Sequence, residues 1–460
     1  MATHVVPQAS PETLPELASS LAPFAPLFRR STSRASVERY LTGLLTDLPR
    51  KHCDTIAAAV AGTSPERLHH LLTDATWEPQ ALDRQRVTAL VTQSPSQGIL
   101  VLDDTGLPKQ GRGSVGVARQ YAGTLGQVAN GQVVVSAHDG ADEPTSPAPI
   151  PWPSTARLSL PEVWATDGAR RATVHLPPEM ALQTKPEVAL ALLDQAQAWG
   201  VPCAWVVAEA GDGDTPTFLP GLADRHLAYG VGMSSTFGVR LAAAVHAAAR
   251  VRPSRPRGRG QPQKPRPAPL STAKAVLEAL PETRWRTITW RAYAGTVLRK
   301  QFVAVRVHGA TGGAQFSPTH HRVCTGPEGW LLGERPVPGD HGDLKWYSSN
   351  LPADTPLHRL VALAHSRWPI EQCYEDAKGE CGLDDYQGRR WDGLHRHLAL
   401  AMLAYSFLAR QRWTPADLAG FSPLRRAAVV PGDPSPGAAV AVPRRRVMAH
   451  RDQPDCPVPP

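Results

Sequence analysis

Two short apolar runs with no polar interruption constrain this chain most. They are Gly98-Ile99-Leu100-Val101-Leu102 and Cys203-Ala204-Trp205-Val206-Val207-Ala208. Each has the length of a strand and lacks the alternation of a strand with one wet face, so both predict strands buried on both sides. Gly131-Gln132-Val133-Val134-Val135-Ser136-Ala137 is a further strand candidate, and the Gly-punctuated stretch from Lys109 to Asn130 reads as a hairpin connection. Residues 186–199 start at Pro186, carry Val188, Leu190, Leu192 and Leu193, and stop before Gly200, which predicts a helix. Strand, helix and strand in this order argue for an α/β fold.

Both runs end in acidic residues. The first leads into Asp103-Asp104-Thr105-Gly106 and the second into Glu209. Functional groups of open α/β sheets collect at such carboxyl ends. Taken alone, Asp-Asp-Thr-Gly also reads as a turn that ends a strand. A third acidic residue, Glu371, lies early in a predicted helix within Arg367-Trp368-Pro369-Ile370-Glu371-Gln372-Cys373-Tyr374-Glu375-Asp376-Ala377-Lys378. Arg367, Glu371 and Lys378 fall at i, i+4 and i+11, which puts basic, acidic and basic groups on one helix face. Such a stripe suits a group that holds a metal beside a phosphate.

The chain divides by composition. Residues 1–26 are Pro/Ala/Ser-rich and expected to be frayed. Residues 27–95 read as a helical domain, with Leu41, Leu44, Leu45 and Leu48, then Leu68, Leu71 and Leu72, at helical spacing. Ser64 before Pro65 and Glu66 is a helix start. Arg29, Arg30, Arg34, Arg39, Arg50 and Lys51 make this segment a candidate for phosphate contacts. Residues 96–230 hold the first part of the α/β core. Residues 231–350 hold a basic Pro/Gly-rich stretch at 251–269 and strand candidates from Trp285 to Val307 and Trp330 to Gly333. Residues 351–412 return to helical patterns, with Leu357, Leu360, Val361, Leu363 and Ala364 in one stripe and Leu394, Leu398, Met402, Tyr405 and Leu408 in another. Residues 413–460 form a Pro/Arg-rich tail with too little apolar content to fold alone.

Composition excludes several classes. Forty-nine Lys and Arg against 41 Asp and Glu give a net charge of +8, which favours a polyanionic partner. The six cysteines include no C-x-x-C pair, so a zinc finger or redox dithiol is not expected and reduced thiols are. No apolar run is long enough to span a membrane, and the first residues carry no secretory pattern. Gly111-Arg112-Gly113-Ser114-Val115-Gly116 lacks the Gly-Lys-Ser/Thr end of a phosphate-binding loop. His395 and His397 have no third ligand in view and read as surface or packing residues. Trp285, Trp290 and Trp346 are stacking candidates for unpaired bases, with a core role as the plainer alternative.

Three stretches together resemble a known family. Leu102–Ser136 (LDDTGLPKQGRGSVGVARQYAGTLGQVANGQVVVS) and Gln183–Asp214 (QTKPEVALALLDQAQAWGVPCAWVVAEAGDGD) resemble the catalytic core of bacterial insertion-sequence transposases of the DDE type. Arg367, Glu371 and Lys378 look like most of the YREK signature of one transposase group, whose Tyr falls here on Ala364. The resemblance continues through Gly382–Leu408 and spans roughly residues 30–410. It implies an RNase H-like fold with a β-rich insertion between the second and third acidic positions. It also implies a DNA transposase that cuts and joins element ends with two Mg²⁺ ions, for which Mn²⁺ can substitute, held by Asp103 or Asp104, Glu209 and Glu371. Hard oxygen donors suit such ions. Arg367 and Lys378 would hold DNA phosphates. The implied partners are double-stranded DNA and a second copy of the chain on that DNA, in a nucleoid-associated cytoplasmic setting.

One position departs from the family pattern. The second acidic residue is ordinarily Asp, followed shortly by Tyr-Gly; here the matching residues are Glu209, Asp212 and Gly213. Glu keeps the charge but moves the carboxylate by roughly one methylene, a displacement that can lower a rate by about 10²-fold. Lowered activity is therefore expected, with Asp212 or Asp214 as substitute ligands. Two other functions stay open: a catalytically impaired, domesticated DNA-binding protein, and a fold reused for unrelated chemistry.

Overall fold

The structure is a computed structural model that describes residues 14–92, 98–122, 127–140, 151–164, 166–250, 268–293, 296–311, 324–367 and 369–412. The helices before the sheet are α1 (Pro15–Leu21), α2 (Ser31–Leu45), α3 (Cys53–Ala59), α4 (Pro65–Thr73) and α5 (Pro79–Val91). The first half of the sheet comprises β1 (Ile99–Pro108), β2 (Ala118–Ala122), β3 (Gln127–Gly140) and β4 (Trp152–Ser159). Then come α6 (Gly168–Thr173), α7 (Lys185–Ala198), β5 (Trp205–Ala208), α8 (Ala210–Gly213), α9 (Phe218–Asp224) and β6 (Ala228–Met233). Next are β7 (Gly238–Leu241), α10 (Ala242–Arg250), β8 (Ser271–Thr272), α11 (Ala273–Glu278), β9 (Arg286–Tyr293), β10 (Thr296–Thr311), β11 (Cys324–Arg335) and β12 (Lys345–Ser349). α12 (Leu357–His365), α13 (Pro369–Cys381) and α14 (Trp391–Arg412) close the described chain.

The fold class is α/β, with a mixed sheet. β1 lies inside it, antiparallel to β3 and parallel to β5, and β5 is parallel to β6. Beyond β6 the sheet continues antiparallel through β12, β11 and β10 to β7 and β8. β4 pairs with β3, and β9 pairs with β10. The described strands between β6 and α12 thus extend the same sheet.

The apolar runs form buried strands because helices cover both faces. Ile99 and Val101 of β1 and Val207 of β5 face one hydrophobic cluster, shared with α2, α12, α13 and α14. Leu100, Leu102, Val206 and Ala208 face the other, packed against Val188, Leu192 and Leu193 of α7. Thr184 caps α7 by accepting from Glu187 N while the Glu187 side chain returns to Thr184 N at 2.8 Å. Ser64 caps α4 in the expected way.

Several expectations need correction. β1 does not end at Asp103 but continues to Pro108, because β3 pairs with it along its whole length. The stretch between β1 and β3 contains a strand of its own, β2, which pairs with β3. Residues 15–26, expected to be frayed, lie in α1 and a 3-10 helix that ends at Leu27, with Leu17 and Phe24 buried. The N-terminal helices share their core with α14, so they belong to one compact unit with the sheet. Lys51 is buried, its Nζ donating to the carbonyls of Leu44 and Glu380, and so is not a phosphate-contacting group. Most of the basic stretch at 251–269 and the whole tail from 413 lie outside the described residues.

A buried guanidinium ties three of these elements together. Arg86 of α5 pairs with Asp83 at 2.7 Å and donates to the carbonyls of Pro153 and Ser154 on β4 and to Ser406 Oγ on α14 at 3.3 Å. Asp83→Ala would leave that charge buried and unpaired. It is expected to destabilise the protein by about 3–5 kcal/mol, read as a lower urea midpoint, whereas replacing both residues with apolar ones should cost less.

Candidate functional site

Strand alternation decides which acidic residues meet. Pairing of β1 with β5 runs Ile99–Trp205, Leu100–Val206 and Val101–Val207. Two residues beyond Val101 and Val207 come Asp103 and Glu209, on the same face of the sheet as those valines. That face is covered by α13, which carries Glu371 in its first turn. Asp104 belongs to the opposite face, where Lys185 at the start of α7 pairs with it at 2.8 Å.

One guanidinium joins the three carboxylates. Arg367 Nη1 lies 2.8 Å from Asp103 Oδ2 and 3.0 Å from Glu209 Oε1, and Nη2 lies 2.8 Å from Glu371 Oε1. The structure therefore brings together Asp103, Glu209, Glu371 and Arg367, and leaves Asp104 outside the group. The carboxylates share the guanidinium rather than gathering their own oxygens at one point. Arg367 does not sit on the helix face with Glu371, as the spacing suggested. It lies in the corner between α12 and α13, where its carbonyl accepts from Ile370 N at 3.0 Å.

The members of the group differ in environment. Asp103 is buried, and Asp104 N donates to its Oδ1 at 2.9 Å. Burial pushes its carboxyl up to about 7, with Arg367 opposing and Glu209 adding to the rise. Glu209 and Glu371 are half exposed, at 51% and 54% of their side chains. Burial alone would lower the Arg367 pKa, but Asp103, Glu209 and Glu371 outweigh it and raise it, so the cation is secure. The arrangement thus has one dry carboxylate at its base and two that open onto solvent.

Glu209 reaches the group despite its extra methylene. Gly213 N donates to the Glu209 carbonyl at 3.3 Å, closing the single turn of α8 directly after β5. Gly213 packs so tightly on β6 that a Cβ there would stand 2.2 Å from the Gly232 carbonyl oxygen, which explains glycine at this place in the motif. Asp214 turns elsewhere and accepts from Ser234 N at 3.0 Å. The side chain of Asp212 lies outside the described residues. Lys378 donates from Nζ to the Gly106 carbonyl at 3.1 Å, fastening α13 to the far end of β1.

Beside the group runs a cleft lined by Glu209, Met233, Trp346, Tyr347, His365 and Arg367. Trp346 is thus both a packing residue and part of the cleft wall. Trp285 is buried under Arg335, and the Trp290 side chain lies outside the described residues. His397 is buried and His395 is partly buried. His397 contacts Tyr40 Oη at 2.8 Å and the Gly382 carbonyl at 3.1 Å, a packing role as expected. A separate, more apolar cavity lined by Leu219, Phe237 and Leu331 contains none of the three acidic residues.

With this geometry in view, comparison with known proteins is specific. Residues 23–296 match the family described as DDE superfamily endonuclease. The chain belongs to that family. The matched segment includes Asp103 and Glu209 and stops before Glu371. A probable transposase for insertion sequence element IS701 from Microchaete diplosiphon is similar, at 29% identity over 211 residues, or 45% of this chain and 51% of that protein. The chain thus spans about half the length of the curated relative it matches. Among the described residues no helix is long and apolar enough to cross a membrane.

One part of the surroundings had no sequence signal. Glu334 of β11 is fully buried and accepts from Tyr347 Oη at 2.8 Å and from Lys300 Nζ, with His365 Nε2 at 3.1 Å. Burial pushes this carboxyl up, but His365, Lys300 and Tyr347 together overcome it and hold the pKa at about 2. A carboxylate with a depressed folded-state pKa stabilises the fold above its unfolded value of about 4.3, and that contribution fades as pH falls towards 2. Glu334→Gln is therefore expected to lower stability at neutral pH and to flatten the acid limb between about pH 4.3 and 2, measured by urea unfolding across that range.

Proposed function

We propose that this chain is a DNA transposase, an enzyme that cuts and joins the ends of an insertion sequence. The observation that carries the reading is the convergence of Asp103, Glu209 and Glu371, from β1, the end of β5 and α13, on Arg367. An RNase H-like core is supported by β4, β3, β1, β5 and β6 as sheet neighbours, with β1, β5 and β6 parallel.

The donor set fits the divalent metal ions expected of the family. Three carboxylates are hard oxygen ligands, and a single guanidinium cannot balance three negative charges. Asp103, Glu209 and Glu371 would hold two Mg²⁺ ions, which supply activation of an attacking hydroxyl and stabilisation of the leaving oxygen in phosphoryl transfer. The chain's own residues do the positioning. Asp103 fixes the base of the site because burial and the Asp104 N–H leave it little freedom. Glu209 and Glu371 face the solvent side, where a DNA strand can approach. Arg367 spaces the carboxylates and presents a cation for a phosphate. Lys378 is read as a positioning residue, since it holds α13 against β1. Net charge of +8 favours the duplex, and a second copy of the chain on the paired ends belongs to the same reading.

A labelled duplex carrying the flanking element ends, incubated with Mg²⁺ or Mn²⁺, tests this. Cleavage is expected, with Asp103→Asn and Glu371→Gln each lowering it by at least about 10²-fold while leaving DNA binding in place. Because Glu209 Oε1 already reaches Arg367 at 3.0 Å, Glu209→Asp should retract the carboxylate and lower the rate. A gain of cleavage in Glu209→Asp would favour the impaired DNA-binding protein, for which Arg367 engaging all three carboxylates is the supporting observation. Neither cleavage nor salt-sensitive binding would overturn both.

A further inference from the structure

A second constellation, separate from the carboxylate group, lies in the extension of the sheet. His246 of α10, His308 of β10 and Glu328 of β11 place one potential ligand atom each within 4.8 Å of one another. Among the described residues it is the one group of three with that spacing. His308 and Glu328 are direct cross-strand partners, next to a register shift between His308 and Ala310. Irregularities of this kind re-aim side chains and gather at functional positions.

The orientation of each group is set from behind. His308 Nδ1 lies 2.9 Å from the Gly326 carbonyl, so Nδ1 carries a proton, and in the neutral ring Nε2 turns a lone pair towards the cluster. Nε2 is buried and has no hydrogen-bond partner. Arg306 Nε donates to Glu328 Oε1 at 2.9 Å, which leaves Oε2 facing the imidazoles. Glu328 Oε2 stands 2.9 Å from His246 Nε2 and 3.7 Å from His308 Nε2. A proton on His246 would satisfy the shorter contact only. A neutral His308 would still turn an acceptor towards a carboxylate.

We propose that His246, His308 and Glu328 form a zinc site that clamps α10 to the β10–β11 hairpin. Two imidazoles and one carboxylate are a zinc donor set with a fourth position left open. Tetrahedral ligands at about 2.1 Å from Zn²⁺ lie about 3.4 Å apart, and the two distances to Glu328 fall on either side of that value. Arg306 and the Gly326 carbonyl are the outer partners that such ligands ordinarily have. Imidazole nitrogens do not suit Mg²⁺, so this site and the carboxylate group would hold different metals. The basic stretch of the sequence begins directly after α10. The ion would thus anchor the helix from which that stretch departs.

Chelator-treated full-length protein titrated with Zn²⁺, and with Co²⁺ read by visible absorption, tests the assignment. One tight site per chain is expected in the wild type and in Asp103→Asn. His246→Gln, at a side chain 54% exposed, and His308→Ala should each weaken it by at least about 100-fold. Zn²⁺ should raise the thermal midpoint of the wild type and leave that of His246→Gln unchanged, which separates a lost ligand from a misfolded variant. Absence of stoichiometric binding, or binding indifferent to both histidine variants, would overturn the assignment. Binding lost in Asp103→Asn would place the metal on the carboxylates instead. Either result leaves the cleavage test of the carboxylate group standing on its own.

Discussion

The parallel pairing of β1 with β5 is the constraint on which the rest of this structure depends. Three residue pairs set the register, Ile99–Trp205, Leu100–Val206 and Val101–Val207. Alternate members face two separate hydrophobic clusters, so a slip by one residue would turn every side chain to the wrong layer. The same register carries polar consequences two residues further on. It puts Asp103 and Glu209 side by side on the face covered by α13, and sends Asp104 to Lys185 on the other. Packing of aliphatic side chains thus decides which of two adjacent aspartates joins the group.

Much of this is legible in the sequence. The apolar runs at 98–102 and 203–208 mark both strands, and the acidic residues after them mark the candidate site. Glu371 is recognisable by its place between Arg367 and Lys378. The features that local patterns hide are long-range. β1 runs on through Asp-Asp-Thr-Gly because a partner strand continues beside it, although those residues alone favour a turn. Spacing puts Arg367 and Glu371 on one helix face, yet a corner after α12 separates them, and their contact survives because the guanidinium is long enough to return. Lys51 has the composition of a surface residue, but Leu44 and Glu380 offer carbonyls that only the folded chain brings near. The Glu334 network joins β10, β11, β12 and α12, and no spacing within one element could announce it.

The electrostatics of the group follow from unequal burial. Asp103 sits where water is excluded, so its charge depends on Arg367, whereas Glu209 and Glu371 keep contact with solvent. Arg367 in turn is stabilised as a cation by all three. Each side therefore supports the ionisation of the other, and removing either would change more than a single contact. The Glu at position 209 belongs in this account. Tight seating of Gly213 against Gly232 fixes the turn that carries it, and within that turn the longer side chain is what reaches the guanidinium.

The order in which the acidic residues occur along the chain has a consequence for synthesis. β1 and β5 can pair once about the first half of the polypeptide has been made. The corner bearing Arg367 and the helix bearing Glu371 come only after β7 to β12. Until then, the chain lacks the cation that joins Asp103 and Glu209 in the finished fold. A ribosome must therefore translate through the sheet extension before the carboxylate group exists, and any product that stops within that extension is a partial sheet with an unfinished site.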